Sequence, residues 1–298
     1  MAFRKQRTKW ACQHYGSGAR TPLNPPSSEE LQYIWVSDDL QLVYCEVPKA
    51  ASSLWKMLIL KAKGYPIKSS ESVHMIDFPQ NLRRLDTYSS SEIENILNHY
   101  LKFLILRHPA DRLVSAYRDK IKFWKPQNPR ALSRVGNYVN QLKGLPPFYP
   151  TDIPEDDTQL YYYLKRKINS GAELWDTMTS LRPSNVTFRD FVRYVADHSD
   201  APDKHWAPIH RQCHPCYINY DIISYYETMK EDGANILKLV QHDTDLRIKE
   251  KTQSSCPKCL RTSKMFERIY EPEMGKIKQM YQLDWAMALG ETDFLKSP

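Results

Sequence analysis

Apolar positions along this chain fall into a few short runs of strand character and several longer runs with a helical period. Leu31–Val36, Gln41–Val47 and Leu101–Leu106 are rich in β-branched and aromatic residues over the length of a strand. The spacing predicts helices over Ser53–Lys63, Ser91–His99, Arg112–Phe123, Phe188–Ala196, Met229–Val240 and Glu273–Met287. Strands alternating with helices predict an α/β fold. Residues 1–30 are polar and basic and end near Pro22, Pro25 and Pro26, which predicts a flexible leader ahead of one domain over 31–298. The prolines at 126, 129, 146, 147, 150 and 154 predict a long loop, a candidate wall for an acceptor site.

Two of the strands run straight into a polar turn and then a helix. After Gln41–Val47 comes Pro48-Lys49-Ala50-Ala51-Ser52-Ser53-Leu54-Trp55-Lys56. After Leu101–Leu106 comes Arg107-His108-Pro109-Ala110-Asp111-Arg112-Leu113-Val114-Ser115. That order aims backbone N–H groups and the positive end of a helix at an anion. In the first segment Ala50, Ala51, Ser52 and Ser53 let the main chain approach a phosphate, and Lys49 adds a point charge. The segment differs from G-x-x-x-x-G-K-[ST], since it has no glycine and its lysine precedes the small residues. The plainer reading is a helix capped by Ser53. In the second segment Arg107 ends a buried strand, where a guanidinium requires an anionic partner. The plainer reading there is an amphipathic helix with Leu113, Val114 and Tyr117 buried and Arg112, Arg118 and Lys120 solvated. Two anion sites in one chain imply a ligand with phosphate groups at two separated positions.

Taken together, the segments resemble the Golgi carbohydrate sulfotransferases, the group that holds the chondroitin and dermatan 4-O-sulfotransferases and the natural-killer-epitope enzyme. Pro48–Lys56 is similar to that family's 5′-phosphosulfate motif, and Arg107–Lys120 to its 3′-phosphate motif. The resemblance continues through Val186–Tyr194, His205-Trp206-Ala207-Pro208, Cys213-His214-Pro215-Cys216, Tyr220–Ile223, Tyr225-Tyr226-Glu227-Thr228 and Tyr281–Asp284. This chain departs from the family pattern at Leu54, which has no side-chain amide, and at His108, where an acidic residue is commoner.

The resemblance implies a single P-loop-like domain with a central, mostly parallel sheet flanked by helices. It implies 3′-phosphoadenylyl sulfate as donor, no metal, and an anionic glycan as acceptor, with the N-acetylgalactosamine 4-hydroxyl of chondroitin or dermatan as the expected position. Pro48, Lys49, Ala50, Ala51, Ser52, Ser53 and Leu54 would hold the 5′ end of the donor. Arg107, His108, Pro109, Ala110, Asp111, Arg112, Leu113, Val114 and Ser115 would hold the 3′ end. Lys49 would neutralise charge on the leaving phosphate. For the general base, His205 and His74 are the histidine candidates and Glu227 the carboxylate alternative.

Charge and cysteines add to this picture. Lys plus Arg number 42 against 35 Asp plus Glu, a net charge of +7 that favours polyanions such as glycosaminoglycans or nucleic acid. Cys213-x-x-Cys216 and Cys256-x-x-Cys259 have zinc-site spacing, so a zinc-stabilised basic nucleic-acid module is one rival reading and a kinase-like nucleotide enzyme another. In a Golgi lumen, disulfides linking the two strings are the expected state. The sequon Asn185-Val186-Thr187 agrees with a secretory route. No run of about 20 apolar residues offers a membrane anchor, and family members are type II Golgi membrane proteins, so a truncated chain is expected.

Overall fold

The computed structural model describes residues 2–16, 25–67, 73, 82–122, 130–145, 186–240 and 262–288. They divide into two compact units, one of 1–112, 204–261 and 278–298 and the other of 113–203 and 262–277.

The first unit carries the sheet. Its elements in chain order are α1 (Ala2–Tyr15), β1 (Ile34–Ser37), β2 (Leu42–Cys45), α2 (Ser52–Ala62), β3 (Arg83–Arg84), α3 (Ser90–His99) and β4 (Leu101–Leu106). The helix α4 (Pro109–Tyr117) starts in this unit and ends in the other. Strand order is β3-β1-β2-β4-β5, where β5 is Ile222–Tyr225. The strands β2, β4 and β5 are parallel neighbours, and the β1 edge is antiparallel. This is the expected α/β class with a mostly parallel centre. Burial on both faces explains the unbroken apolar runs Leu42–Cys45 and Phe103–Leu106. Phe103 stacks on Tyr44 and meets Trp55, each at 4.9 Å, so Trp55 packs in the core.

The second unit is helical. It holds α5 (Arg130–Leu142), α6 (Phe188–Asp197) and α9 (Thr262–Phe266). Thr187 and Asp190 form a reciprocal capping box that fixes the start of α6. Phe188 meets Tyr117 and Phe266 edge-on at 5.3 and 5.0 Å. The remaining helices of the first unit are α7 (Ile209–Cys213), α8 (Met229–Val240) and α11 (Gln282–Ala288); α10 (Glu271–Met280) belongs to both units.

Three expectations change. The first half of the expected flexible leader is the helix α1, which packs on α11 and buries Thr8 and Ala11. The expected loop at 126–154 contains the 13-residue helix α5, whose Ala131, Leu132, Val135 and Val139 are buried. Flanking prolines hid that apolar spacing. The disulfides are Cys12–Cys216 and Cys45–Cys213, with Cα–Cα distances of 5.5 and 5.7 Å. Both cysteines of the first CxxC string therefore pair elsewhere, and the expected linkage to Cys256 and Cys259 is replaced. Cys256 and Cys259 lie outside the described residues. Sequence spacing does not show that β2 ends beside α7, which is what pairs Cys45 with Cys213.

Candidate active site

The first turn is built on strained backbone. Val47 O accepts from Ala50 N at 3.1 Å, closing a turn with Pro48 and Lys49 at its centre. Lys49 has φ 70° and Ala51 φ 62°, left-handed positions usually taken by glycine. Such positions cost about 1–3 kcal/mol each and persist where the surroundings impose them. Here the surroundings are two arginines of the second segment. Arg107 Nη1 donates to Lys49 O, and Arg112 Nε donates to Pro48 O at 2.9 Å. Helix α2 then begins at Ser52 with no side-chain cap from Ala51. The expected Ser53 cap is thus replaced, and Ser52, Ser53 and Leu54 precede the first intrahelical bond, Trp55 N to Ala51 O. Lys56, the last residue of the motif, is ion-paired with Glu46 at 2.5 Å; burial pulls its pKa down and Glu46 opposes this.

The second turn follows β4, which pairs in parallel with β2, so both turns leave the carboxyl ends of adjacent strands. Its two arginines are committed differently. Arg112, expected on a solvated face, is 2% exposed. Besides Pro48 O, it donates to Ala207 O, to Lys204 O at 3.2 Å and to Gln212 Oε1 at 2.9 Å. Arg107 lies over the Tyr226 ring at 4.3 Å, and among the described residues its buried Nε has no hydrogen-bond partner. An orphaned buried guanidinium N–H beside a helix start whose N-cap residue offers no side-chain oxygen fits an anionic ligand. His108 accepts from Ala110 N at 3.2 Å and meets Trp285 edge-on; burial lowers its pKa, with Asp111 opposing and Arg107 adding. Pro109 and Ala110 open α4, where Leu113 and Val114 are buried and Ser115 is half-buried.

The base candidates separate. His205 is half-buried in the segment whose carbonyls Lys204 O and Ala207 O are held by Arg112, and Tyr281 donates to Trp206 O. Arg112 thereby joins this string to the first turn, a link no sequence spacing reveals. Glu227 neighbours Arg107 and Asp111, and desolvation raises its pKa above the usual carboxylate value. His74 lies outside the described residues. His214 Nε2 donates to Glu30 O at 3.1 Å, in a structural position with φ 47°. His210 pairs with buried Asp284, which also accepts Ile209 N and His210 N at the start of α7. Tyr226, Gln212, Asp284 and Trp285 went unassigned in the sequence because their partners lie far along the chain. Among the described residues, no group of His, Cys, Asp and Glu could hold a metal.

The model of the sulfotransferase family matches residues 32–287. The chain belongs to the sulfotransferase family. This meets the family and enzyme class expected from the paired motifs. The sulfotransferase is similar to carbohydrate sulfotransferase 11 of Danio rerio, 31% identical over 297 residues, with 96% of this chain and 74% of the relative covered. It is also similar to carbohydrate sulfotransferase 8 of Mus musculus, 27% identical, covering 95% of this chain and 62% of that protein. Carbohydrate sulfotransferase 14 of Danio rerio is 32% identical over 223 residues, covering 74% of this chain and 52% of that protein. No solved structure matches. No helix among the described residues is long and apolar enough to cross a membrane.

Proposed function

We propose that this sulfotransferase moves a sulfuryl group from 3′-phosphoadenylyl sulfate to a sugar hydroxyl of an anionic glycan. The observation that carries the reading is the pair of polar turns at the carboxyl ends of adjacent parallel strands, tied together by Arg107 and Arg112. A donor with a 5′-phosphosulfate and a 3′-phosphate uses both. Pro48–Leu54 would face the 5′ end with small residues, hydroxyls and helix-start N–H groups, and Lys49 would offset charge on the leaving phosphate oxygen. Arg107, whose Nε has no partner among the described residues, and Ser115 on α4 would take the 3′-phosphate, which ATP lacks. His108–Asp111 shape the turn between them. Arg112 serves the same site through Pro48, as a holder of the turn.

During transfer the acceptor oxygen bonds to sulfur, the bond from sulfur to the phosphate oxygen breaks, and the acceptor proton passes to a base. By analogy with phosphoryl transfer, the protein positions groups and neutralises charge. We assign the base to His205, because its string is held against the first turn by Arg112. Glu227 stands next to Arg107, on the side assigned to the 3′-phosphate, which favours His205 over it. His74 is tested alongside. The acceptor proposed is the N-acetylgalactosamine 4-hydroxyl of chondroitin- or dermatan-type chains, in the Golgi lumen. The names of the relatives support a carbohydrate, and the disulfides agree with an oxidising compartment.

Thermal stabilisation tests the donor: adenosine 3′,5′-bisphosphate should raise Tm, while ATP and DNA should not. Stabilisation by ATP or DNA alone would turn the assignment to the kinase-like or nucleic-acid reading. A panel of desulfated glycans with labelled donor then tests the acceptor. If His205 is the base, His205→Ala cuts kcat strongly and leaves donor binding intact.

A further inference from the structure

The residue beneath Arg107 is held from the far end of the chain. Arg4, in the first turn of α1, pairs with Asp232 at the start of α8. It donates to Thr228 Oγ1 at 2.9 Å and to Ile223 O at 3.4 Å, and its guanidinium lies over the Tyr225 ring at 4.5 Å. Asp232 also accepts from Ser224 Oγ at 2.8 Å and Thr228 Oγ1 at 2.7 Å. These bonds lower its pKa against the opposing effect of burial. The network thus grips β5 through Ile223, Ser224 and Tyr225 and grips the following helical turn, Tyr226–Thr228, through Thr228. Tyr226 sits between the two grips, with its ring beneath Arg107 at 4.3 Å. At the other end of α1, Cys12 is bonded to Cys216, 204 positions away in sequence.

We propose that Arg4 is a positioning residue for the 3′-phosphate. It keeps the turn Tyr226–Thr228 in register, so that Tyr226 supports the Arg107 guanidinium in one plane. A guanidinium matches a phosphate only when its fork is correctly oriented. Arg4 therefore sets affinity for the 3′-phosphate without touching the donor. This inference rests on the reading of Arg107 as the 3′-phosphate ligand. A purely structural Arg4 would alter stability alone, whereas a positioning Arg4 alters the ratio of affinities for nucleotides with and without that phosphate.

The test is calorimetric titration of the full chain with adenosine 3′,5′-bisphosphate and with adenosine 5′-monophosphate. Wild type should prefer the bisphosphate, and Arg4→Gln should cut that preference about tenfold. Arg4→Lys, which keeps the charge, should restore part of it. Because Arg4→Gln strands the Asp232 carboxylate and can cost folding, the pair Arg4→Gln/Asp232→Asn is measured too. This double variant should keep a Tm near wild type and still show the reduced preference. A wild-type preference carried unchanged into the double variant would overturn the inference and leave Arg107 in its role. A wild type with no preference at all would overturn the Arg107 reading, and this inference with it.

Discussion

The turns that follow β2 and β4 leave neighbouring parallel strands, yet they are held in opposite ways. The turn at Pro48–Ala51 makes its shape from main chain, with left-handed Lys49 and Ala51, and takes support from outside. The turn at Arg107–Arg112 supplies that support from side chains, since Arg107 and Arg112 reach the carbonyls of Lys49 and Pro48. Within the second turn the arginines differ again. Arg112 is spent on four protein oxygens, while Arg107 keeps a buried Nε without a partner among the described residues. Two arginines five positions apart in one motif therefore differ in commitment: both brace the first turn, and Arg107 alone keeps the buried N–H that we propose meets an anion. Burial and hydrogen-bond satisfaction tell them apart, and residue type does not.

Four experiments press on that difference, from the largest expected effect down. The first turn follows Cys45, which is tethered to Cys213 across a separation of 168 residues. Replacing both cysteines by alanine should lower unfolding free energy by about 2–5 kcal/mol. Denaturant titration showing no loss would mean the strand end needs no tether. Next, Lys49→Ala should cut kcat by about 10²–10³-fold with only a modest change in product-nucleotide binding. A variant that keeps more than about a tenth of wild-type kcat, a loss below ~1.4 kcal/mol, removes Lys49 from transition-state stabilisation.

The third experiment sets the arginines against each other. Arg107→Ala should weaken donor binding by roughly 1.5–3 kcal/mol and blunt discrimination for the 3′-phosphate, and Ser115→Ala should act in the same direction. Arg112→Lys should leave that discrimination in place but lower stability by about 1–3 kcal/mol, because buried carbonyls lose their donors. Identical phenotypes for Arg107 and Arg112 variants would erase the division of labour. The smallest effect is a pH dependence at His108. Burial lowers its pKa below the ordinary 6.5, so between the folded value and 6.5 the unfolded chain binds more protons. Its contribution to stability is complete above 6.5 and declines as pH falls below it. His108→Asn should accordingly lose less Tm than wild type between pH 7.5 and 5.5; equal losses would show that the imidazole stays solvated.

What could be read from the chain alone was local. The runs Leu42–Val47 and Leu101–Leu106 mark their strands because parallel strands buried on both faces must be apolar throughout. Helices with clear apolar spacing, such as Met229–Val240, were legible to the residue. The small residues and charges of Pro48–Lys56 and Arg107–Ser115 pointed to two anions because helix starts and short hydroxyl side chains carry that chemistry wherever they occur. Other features depended on partners far away in sequence. Helix α1 has too weak an apolar face to be read as a packed element; its docking comes from Arg4 and Cys12, bonded to Asp232 and Cys216, and from the burial of Thr8 and Ala11. The disulfide pairing, the burial of Arg112 and the placing of Tyr226 beneath Arg107 likewise exist only once β2, β4 and β5 lie side by side. Local propensity acts over a few residues and is written in composition and spacing, whereas the worth of a guanidinium or a thiol depends on which distant atoms the fold brings within bonding distance.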